Sequence, residues 1–408
     1  MRLVQMWLLV VLINVTAEVM GDPKGSWDTI SIFNQAPLEI KLGASHDGPD
    51  PDLVALVLWN DSVNNRLDAV HIPPPYDGTG ITTTALENTA ILFNLGSLCT
   101  DGTNLIAPYI KDFNLEVARF NGSNWSTMTV PGTTTNNFDN ANCGANQDGI
   151  FLGAHDLTDG ETEYFRSTNG GSNYTFYGRY TSAGPFDGAI REPLVTTDFT
   201  RYLYGLNQQS NGQVRVSRTS TAGASASFSH FPIENLPAPA GFTFVKEGVG
   251  VANGPGVAFT YNSEGTARLV EVPNNNPGNT TERNLGMINN NGSQFTFQGG
   301  AITTFKNLNG VPASNKILWG DYWYVSPYNN SAQVLSDVSF PLTGVGGPVA
   351  TCQVSEQGAY THDTQLVVGG PRVGSTGTDL QIRDVNVDSL FTDGFESGDT
   401  TAWFATCP

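Results

Sequence analysis

Three histidine-aspartate pairs stand out in a chain that has five histidines: His46 with Asp47, His155 with Asp156, and His362 with Asp363. Each falls in a polar turn between two apolar runs. An imidazole beside a carboxylate can hold a metal ion or serve as an oriented acid and base near neutral pH. The same residue types also populate tight turns for purely conformational reasons. Asp50 and Asp52 extend the first of these turns, and Asp159 and Glu161 the second. Clustered carboxylates of this kind suit Ca²⁺ better than a transition metal. The residues establish no cofactor, and Ca²⁺ is the one they would accept. A fourth group, Trp319, Asp321, Tyr322 and Trp323, alternates aromatic planes with a carboxylate. Rings on the exposed side of a strand would stack on sugars, and rings on the other side would pack as core.

What positions these groups is a repeat. Leu152 to Gly178 reads as strand, polar turn, strand, polar turn, strand, with aromatic and Thr-rich runs separated by Asn, Gly, Ser and Asp. Its two turns must lie at opposite ends of the strands. Related units recur along the chain: Leu38 to Trp59, Asn104 to Phe120, Arg201 to Thr219, Gly256 to Val272, Lys316 to Leu335 and Ala359 to Val387. Arg166 and Arg218 occupy the same register, and the His46 to His362 span corresponds to a period of about 53 residues. Helical periodicity is lacking throughout. An all-β propeller of seven blades is expected, with six or eight as alternatives, because each small sheet of such a repeat buries its faces only against its neighbours. The run Ser26 to Phe33 is a separate strand available to complete the last repeat. If the three His-Asp turns share one phase of the repeat, they share one face.

Composition narrows the partners. The 408 residues include 45 Gly and 23 Pro, and only 14% are charged. That describes a turn-rich chain with an uncharged polar surface. A net charge of −19 with 19 Lys and Arg in all argues against nucleic acid and against an anionic membrane surface. Serine-hydrolase, zinc-protease, Walker and dinucleotide fingerprints do not occur.

The N-terminus has the grammar of a secretory signal: Arg2, an apolar run from Met6 to Val15, then small residues, with cleavage after Ala17 or Gly21. An uncleaved anchor is the other reading of that run. No later segment is apolar enough to span a bilayer. Four cysteines in an exported chain imply two disulfides. Of three possible connectivities, Cys99 with Cys143 and Cys352 with Cys407 is expected, the second pair pinning the C-terminal tail to the last repeat.

Two resemblances add to this. The turn Ser167, Thr168, Asn169, Gly170, Gly171, Ser172, Asn173, Tyr174 resembles the Asp-box of sialidase-type (BNR) propellers, Ser-x-Asp-x-Gly-x-x-Trp, with Asn for Asp and Tyr for Trp. In that family the box is a folding element between the third and fourth strands of a blade, so the resemblance implies architecture rather than catalysis. Sialidase chemistry would require an arginine triad, and Arg179, Arg191, Arg201 and Arg372 have no context that selects them. The second resemblance is in the tail: Leu390 to Trp403 resembles the DGFESGD-x-x-x-W segment of many secreted bacterial proteins, which implies export and a bacterial source.

The expected organisation is a signal peptide over residues 1–21, a propeller over 26–389 and a tail over 390–408. The expected protein is a monomer that is secreted, periplasmic or at the cell surface. Its expected role is binding a ligand or glycan, or another extracellular protein, on the central face. The alternative is a hydrolase or lyase acting on polysaccharide, which would need two carboxylates, or a histidine and a carboxylate, converging on one group.

Overall fold

The computed structural model describes residues 28–46, 51–91, 94–132, 137–158, 161–180, 196–197, 201–208 and 213–235. It continues with 249–253, 256–263, 266–273, 276–286, 289–290, 293–294, 301–305, 316–324, 332–341, 358–362, 365–371 and 377–384. The signal region, the DGFESGD-type tail, Cys352, Cys407, Asp47, Asp50, Asp159 and Asp363 lie outside the described residues. Among those described there is no helix long and apolar enough to cross a membrane.

The first sheet shows why these sequences form strands. Its second strand, Leu53–Asn60, is an apolar run buried on both faces up to its last residue. Leu53, Ala55, Val57 and Trp59 pack toward the last sheet with Ile30, Ile32 and Leu380. Val54, Leu56 and Leu58 pack the other way, against Leu105, Ala107 and Tyr109 of the second sheet. Side chains alternate across a strand, so a continuous apolar run is what a sheet with neighbours on both faces requires. Burial then falls outward: the first strand, Glu39–Ala44, is fully buried, whereas the fourth, Thr82–Thr89, is largely exposed and correspondingly polar.

The pattern repeats. The second sheet has an interrupted first strand, Asn94–Leu95 and Cys99–Thr100, followed by Leu105–Lys111, Asn114–Phe120 and Trp125–Thr129. The third comprises Phe138–Asn146, Gly149–Asp156, Thr162–Ser167 and Thr175–Tyr180. The fourth comprises Thr196–Thr197, Tyr202–Gln208, Gln213–Ser220 and Ser229–Asn235. The fifth is built from Val249–Asn253, Gly256–Ser263, Thr266–Pro273 and Thr281–Gly286, and the sixth from Ala301–Phe305, Lys316–Tyr324 and Ala332–Pro341. A two-stranded ribbon, Asn289–Asn290 with Ser293–Gln294, stands between them.

The last sheet joins the first and last of the described strands. Gly358–His362, Gln365–Pro371 and Thr378–Asp384 supply three strands, and Asp28–Phe33 supplies the fourth, with Asp28 opposite Ile382. The isolated N-terminal strand therefore completes the last repeat, as its sequence suggests. First strands touch first strands in cyclic order around the molecule, the last meeting Glu39–Ala44 of the first sheet. This is a β-propeller, held by apolar seams between adjacent sheets.

A four-stranded antiparallel meander has two kinds of end. First turns (between strands one and two) and third turns share one, here called the lower end. Second turns and the links to the next sheet share the other, the upper end. The expected Cys99 to Cys143 disulfide is present and ties the first strands of the second and third sheets together. That cross-link sits on the inner strands of adjacent sheets, where it adds to an apolar seam.

Candidate functional site

The three His-Asp pairs do not share a phase, which corrects the expectation of one face. His46 follows the first strand of its sheet and His362 ends the first strand of the last sheet, so both lie at the lower end. His155 is the penultimate residue of a second strand and lies at the upper end. Local alternation identifies strand, turn and strand, but it does not say which pair of a four-strand meander is being read.

Nor does His155 pair with Asp156. Its Nδ1 meets Asp139 Oδ1 at 2.7 Å, across to the first strand. Asp156 instead accepts the Thr158 backbone N–H at 2.8 Å and steadies its own turn. Neighbours on a strand point to opposite faces, so an adjacent histidine and aspartate cannot converge. Asp139 reaches the ring because it occupies an irregularity in the pairing, between Phe138 opposite Asp156 and Asn140 opposite His155. Glu161 lies across from Arg179, 3.3 Å from its Nη1, while Glu163 meets Nη2 at 2.8 Å.

Asp52 is likewise drawn to a histidine outside the three pairs. His71 Nδ1 lies 3.3 Å from Asp52 Oδ2, and His71 Nε2 accepts the Trp125 indole N–H at 2.8 Å. Burial pushes the His71 pKa down, against the opposing pull of Asp52. Trp319, Asp321, Tyr322 and Trp323 lie on the second strand of the sixth sheet, with Asp321 at a pairing irregularity. Their side chains, and that of His362, lie outside the described residues. Among the described residues no group of three or more His, Cys, Asp or Glu gathers as a metal site.

The lower end is built from arginines turned onto backbone. Arg119, near the end of a third strand, donates to Asn104 Oδ1 in the first turn of its own sheet and to Gly170 O in the third turn of the next. Arg166 repeats the geometry one sheet on, donating to Asp148 O and to Gly223 O. The Asp-box-like turn is the receiving piece. Ser167 Oγ takes the Gly171 N–H at 2.9 Å and Asn169 Oδ1 takes the Asn173 N–H at 3.1 Å. Gly171 has φ +76°, and a Cβ there would come within 2.5 Å of Ile106 in the preceding sheet. Tyr174 is buried where the family box has Trp. Asp148 closes the next joint, accepting from Arg201 Nε at 2.8 Å and from Thr221, and the arginine holds its carboxyl below the usual range.

The upper end is different in kind. Five of the six exposed large apolar side chains among the described residues lie there: Leu38, Val63, Ile91, Phe113 and Leu157. Val63, Phe113 and Leu157 occupy the second turns of three successive sheets, and Ile91 comes after the fourth strand of the first sheet on the way to the second. Val63 is 79% exposed, held out by a turn in which Asp61 Oδ1 accepts the N–H groups of Val63 and Asn64. Those two bonds lower the Asp61 pKa. Below the surface, Glu87 accepts from Tyr109 Oη at 2.8 Å and from Lys111 Nζ at 2.7 Å. Glu116 accepts from Thr129 Oγ1, and burial, together with the Glu87 charge, raises its pKa. The result is an apolar rim interspersed with Asp61, Asp112 and Glu161. Sequence reasoning missed it because one apolar residue in a polar turn is unremarkable by itself; the signal is its recurrence in the same turn of successive sheets.

No protein-family model matches the chain, and no curated protein matches it in sequence. Several solved structures are similar in shape. The SapL1 lectin in complex with alpha methyl fucoside is 10% identical with a TM-score of 0.44, covering 74% of this chain and 97% of the lectin. The Cps50 (Swd1) beta-propeller domain of Myceliophteria thermophila is 11% identical with a TM-score of 0.46, covering 88% and 100%. The Trypanosoma rangeli sialidase in complex with the inhibitor DANA is 11% identical with a TM-score of 0.43, covering 88% of this chain and 56% of the sialidase. The strand pairing itself carries the assignment of the fold.

Proposed function

We propose that this protein is an exported, seven-bladed propeller that binds a ligand at its upper end, and that the ligand is a glycan. The observation that supports it is the gathering of exposed apolar side chains at one end, in turns where solvent contact would favour polar residues. Saccharides offer a C–H face for a ring such as Phe113 and hydroxyl donors for carboxylates such as Asp61, Asp112 and Glu161. Export is supported by the N-terminal apolar run and the tail motif, and N-terminal sequencing of the mature protein tests it.

The binding test is a glycan array read with the wild-type chain and with Val63→Asp, Phe113→Ala and Leu157→Asp. Retention of a glycan class by the wild type, reduced about tenfold or more by each variant at unchanged melting temperature, is the expected result. Absence of any retained glycan, or equal loss on altering an exposed lower-end residue such as Ser123, sinks the reading.

A hydrolase or lyase acting on polysaccharide is the second reading, supported by the raised pKa of Glu116 beside the Glu87 charge at the same end. It ranks below binding because Tyr109 and Lys111 occupy both Glu87 oxygens and Thr129 occupies one of Glu116. Release of reducing ends from a polysaccharide panel, abolished by Glu116→Gln, would reverse that order.

A further inference from the structure

In the first sheet a histidine stands where the second, third and fourth sheets carry an arginine. Arg166 is paired with Thr175, and Arg218 with Ser229, in each case the first residue of the fourth strand. Arg119 is paired with Ser126, the second. In the first sheet the residue opposite the first residue of the fourth strand, Thr82, is His71. His71 also spans the same two neighbours. Its Nδ1 faces Asp52 in the first turn of its own sheet, as Arg119 faces Asn104 and Arg166 faces the Asp148 carbonyl. Its Nε2 reaches Trp125, directly after the third turn of the next sheet, the turn that receives Arg119 and Arg166 at the later joints.

The polarity is reversed, however. An arginine donates to a carbonyl and stays charged at every physiological pH. An indole N–H can only donate, so Trp125 requires a lone pair on Nε2. His71 must therefore be neutral with its proton on Nδ1, directed at Asp52 Oδ2. Protonation would place an N–H on Nε2 against the N–H of Trp125, and the bond joining the two sheets would be lost.

We infer that His71 is a pH-sensitive joint between the first and second sheets, closed when its imidazole is neutral and opened by mild acid, in a series whose arginine joints do not respond. The surroundings favour the closed form. The ring is buried against Phe120 and Trp125, with centroids at 4.6 and 5.8 Å. Among the described residues, Asp52 is the charged group that faces it, with His46 beginning the same turn. From the second sheet, Phe120 and Trp125 present rings, while Arg119 sends its guanidinium to Gly170 and Asn104. Desolvation outweighs the attraction of Asp52, so the folded chain favours neutral His71 more than the unfolded chain does. This stabilisation is therefore complete above the ordinary histidine value of about 6.5 and declines as pH falls from there toward the lowered folded value.

The test is a titration of the full chain from about pH 8 to about pH 5, across the histidine range, monitored at the imidazole nitrogens of His71 and the indole proton of Trp125 in NMR spectra. His71→Gln assigns the signals. A proton on Nδ1 at the high-pH end, and loss of about tenfold or more in Trp125 indole exchange protection with the His71 midpoint, is the expected result. Trp125→Phe should move that midpoint upward. A proton on Nε2 at high pH, or a Trp125 signal indifferent to His71 titration, would overturn the inference. Both are read on the wild type, so the outcome holds even if a variant fails to fold.

Discussion

The two ends of the propeller are made from the same strands yet solve opposite problems. At the lower end, long cationic side chains are consumed internally: Arg119 and Arg166 satisfy carbonyls of neighbouring sheets, and Arg201 is held by Asp148. At the upper end, comparable turns hold the apolar residues Val63, Phe113 and Leu157 out to solvent. The lower end spends its arginines on joints between sheets, whereas the upper end, though also tied by Glu87 to Tyr109 and Lys111, leaves its apolar turn residues exposed. The difference lies in the surroundings of each turn: arginine near the end of a third strand meets the next sheet, whereas a second turn has solvent beyond it.

The largest expected effect comes from disturbing a joint. Gly171→Val combines a positive φ with a side chain driven into Ile106, and should cost about 3 kcal/mol or more in urea unfolding. Glycan retention per folded molecule should stay unchanged, and a fall would mean the ends are not separate in function. Arg166→Ala should cost about 1.5–3 kcal/mol, since it strips partners from the Asp148 and Gly223 carbonyls. Val63→Asp, by contrast, should move stability by no more than about 0.5 kcal/mol while weakening ligand retention.

Acid should separate the ends by sign. Asp148 has a depressed folded pKa through Arg201, so its contribution is present above the usual aspartate value and lost as pH falls through the folded one. Asp148→Asn should therefore lower the thermal midpoint at neutral pH and become silent at low pH. Glu116 is the reverse: its raised pKa means the folded chain holds the proton more tightly, so its cost grows as pH rises. Glu116→Gln should raise the midpoint at neutral pH, with the gain vanishing in acid. If the two variants respond alike, the electrostatic contrast between the ends is wrong.

Much of the fold was legible because it is written in short-range pattern. Leu53–Asn60 announces a strand buried on both faces, Ser26 to Phe33 announces a strand without a partner nearby, and Cys99 pairs with Cys143 as expected. The site was less legible because its determinants are long-range. His71 and Trp125 are 54 positions apart, and nothing local in the surrounding residues signals that one accepts from the other. His155 looked paired with Asp156 because they are adjacent, yet adjacency on a strand is what separates them. The apolar rim required knowing that Val63, Phe113 and Leu157 occupy equivalent turns, which depends on counting strands within each sheet.

The closure of the last sheet governs how the molecule can be held. Asp28 opposite Ile382 places the start of the N-terminal strand and the finish of Thr378–Asp384 together at the lower pole. Asp28 and Asp384 therefore both lie at the pole opposite the apolar rim. An engineered tag fused directly at Asp28 or Asp384 would start from the pole opposite Val63, Phe113 and Leu157, under a cup whose rim it leaves uncovered.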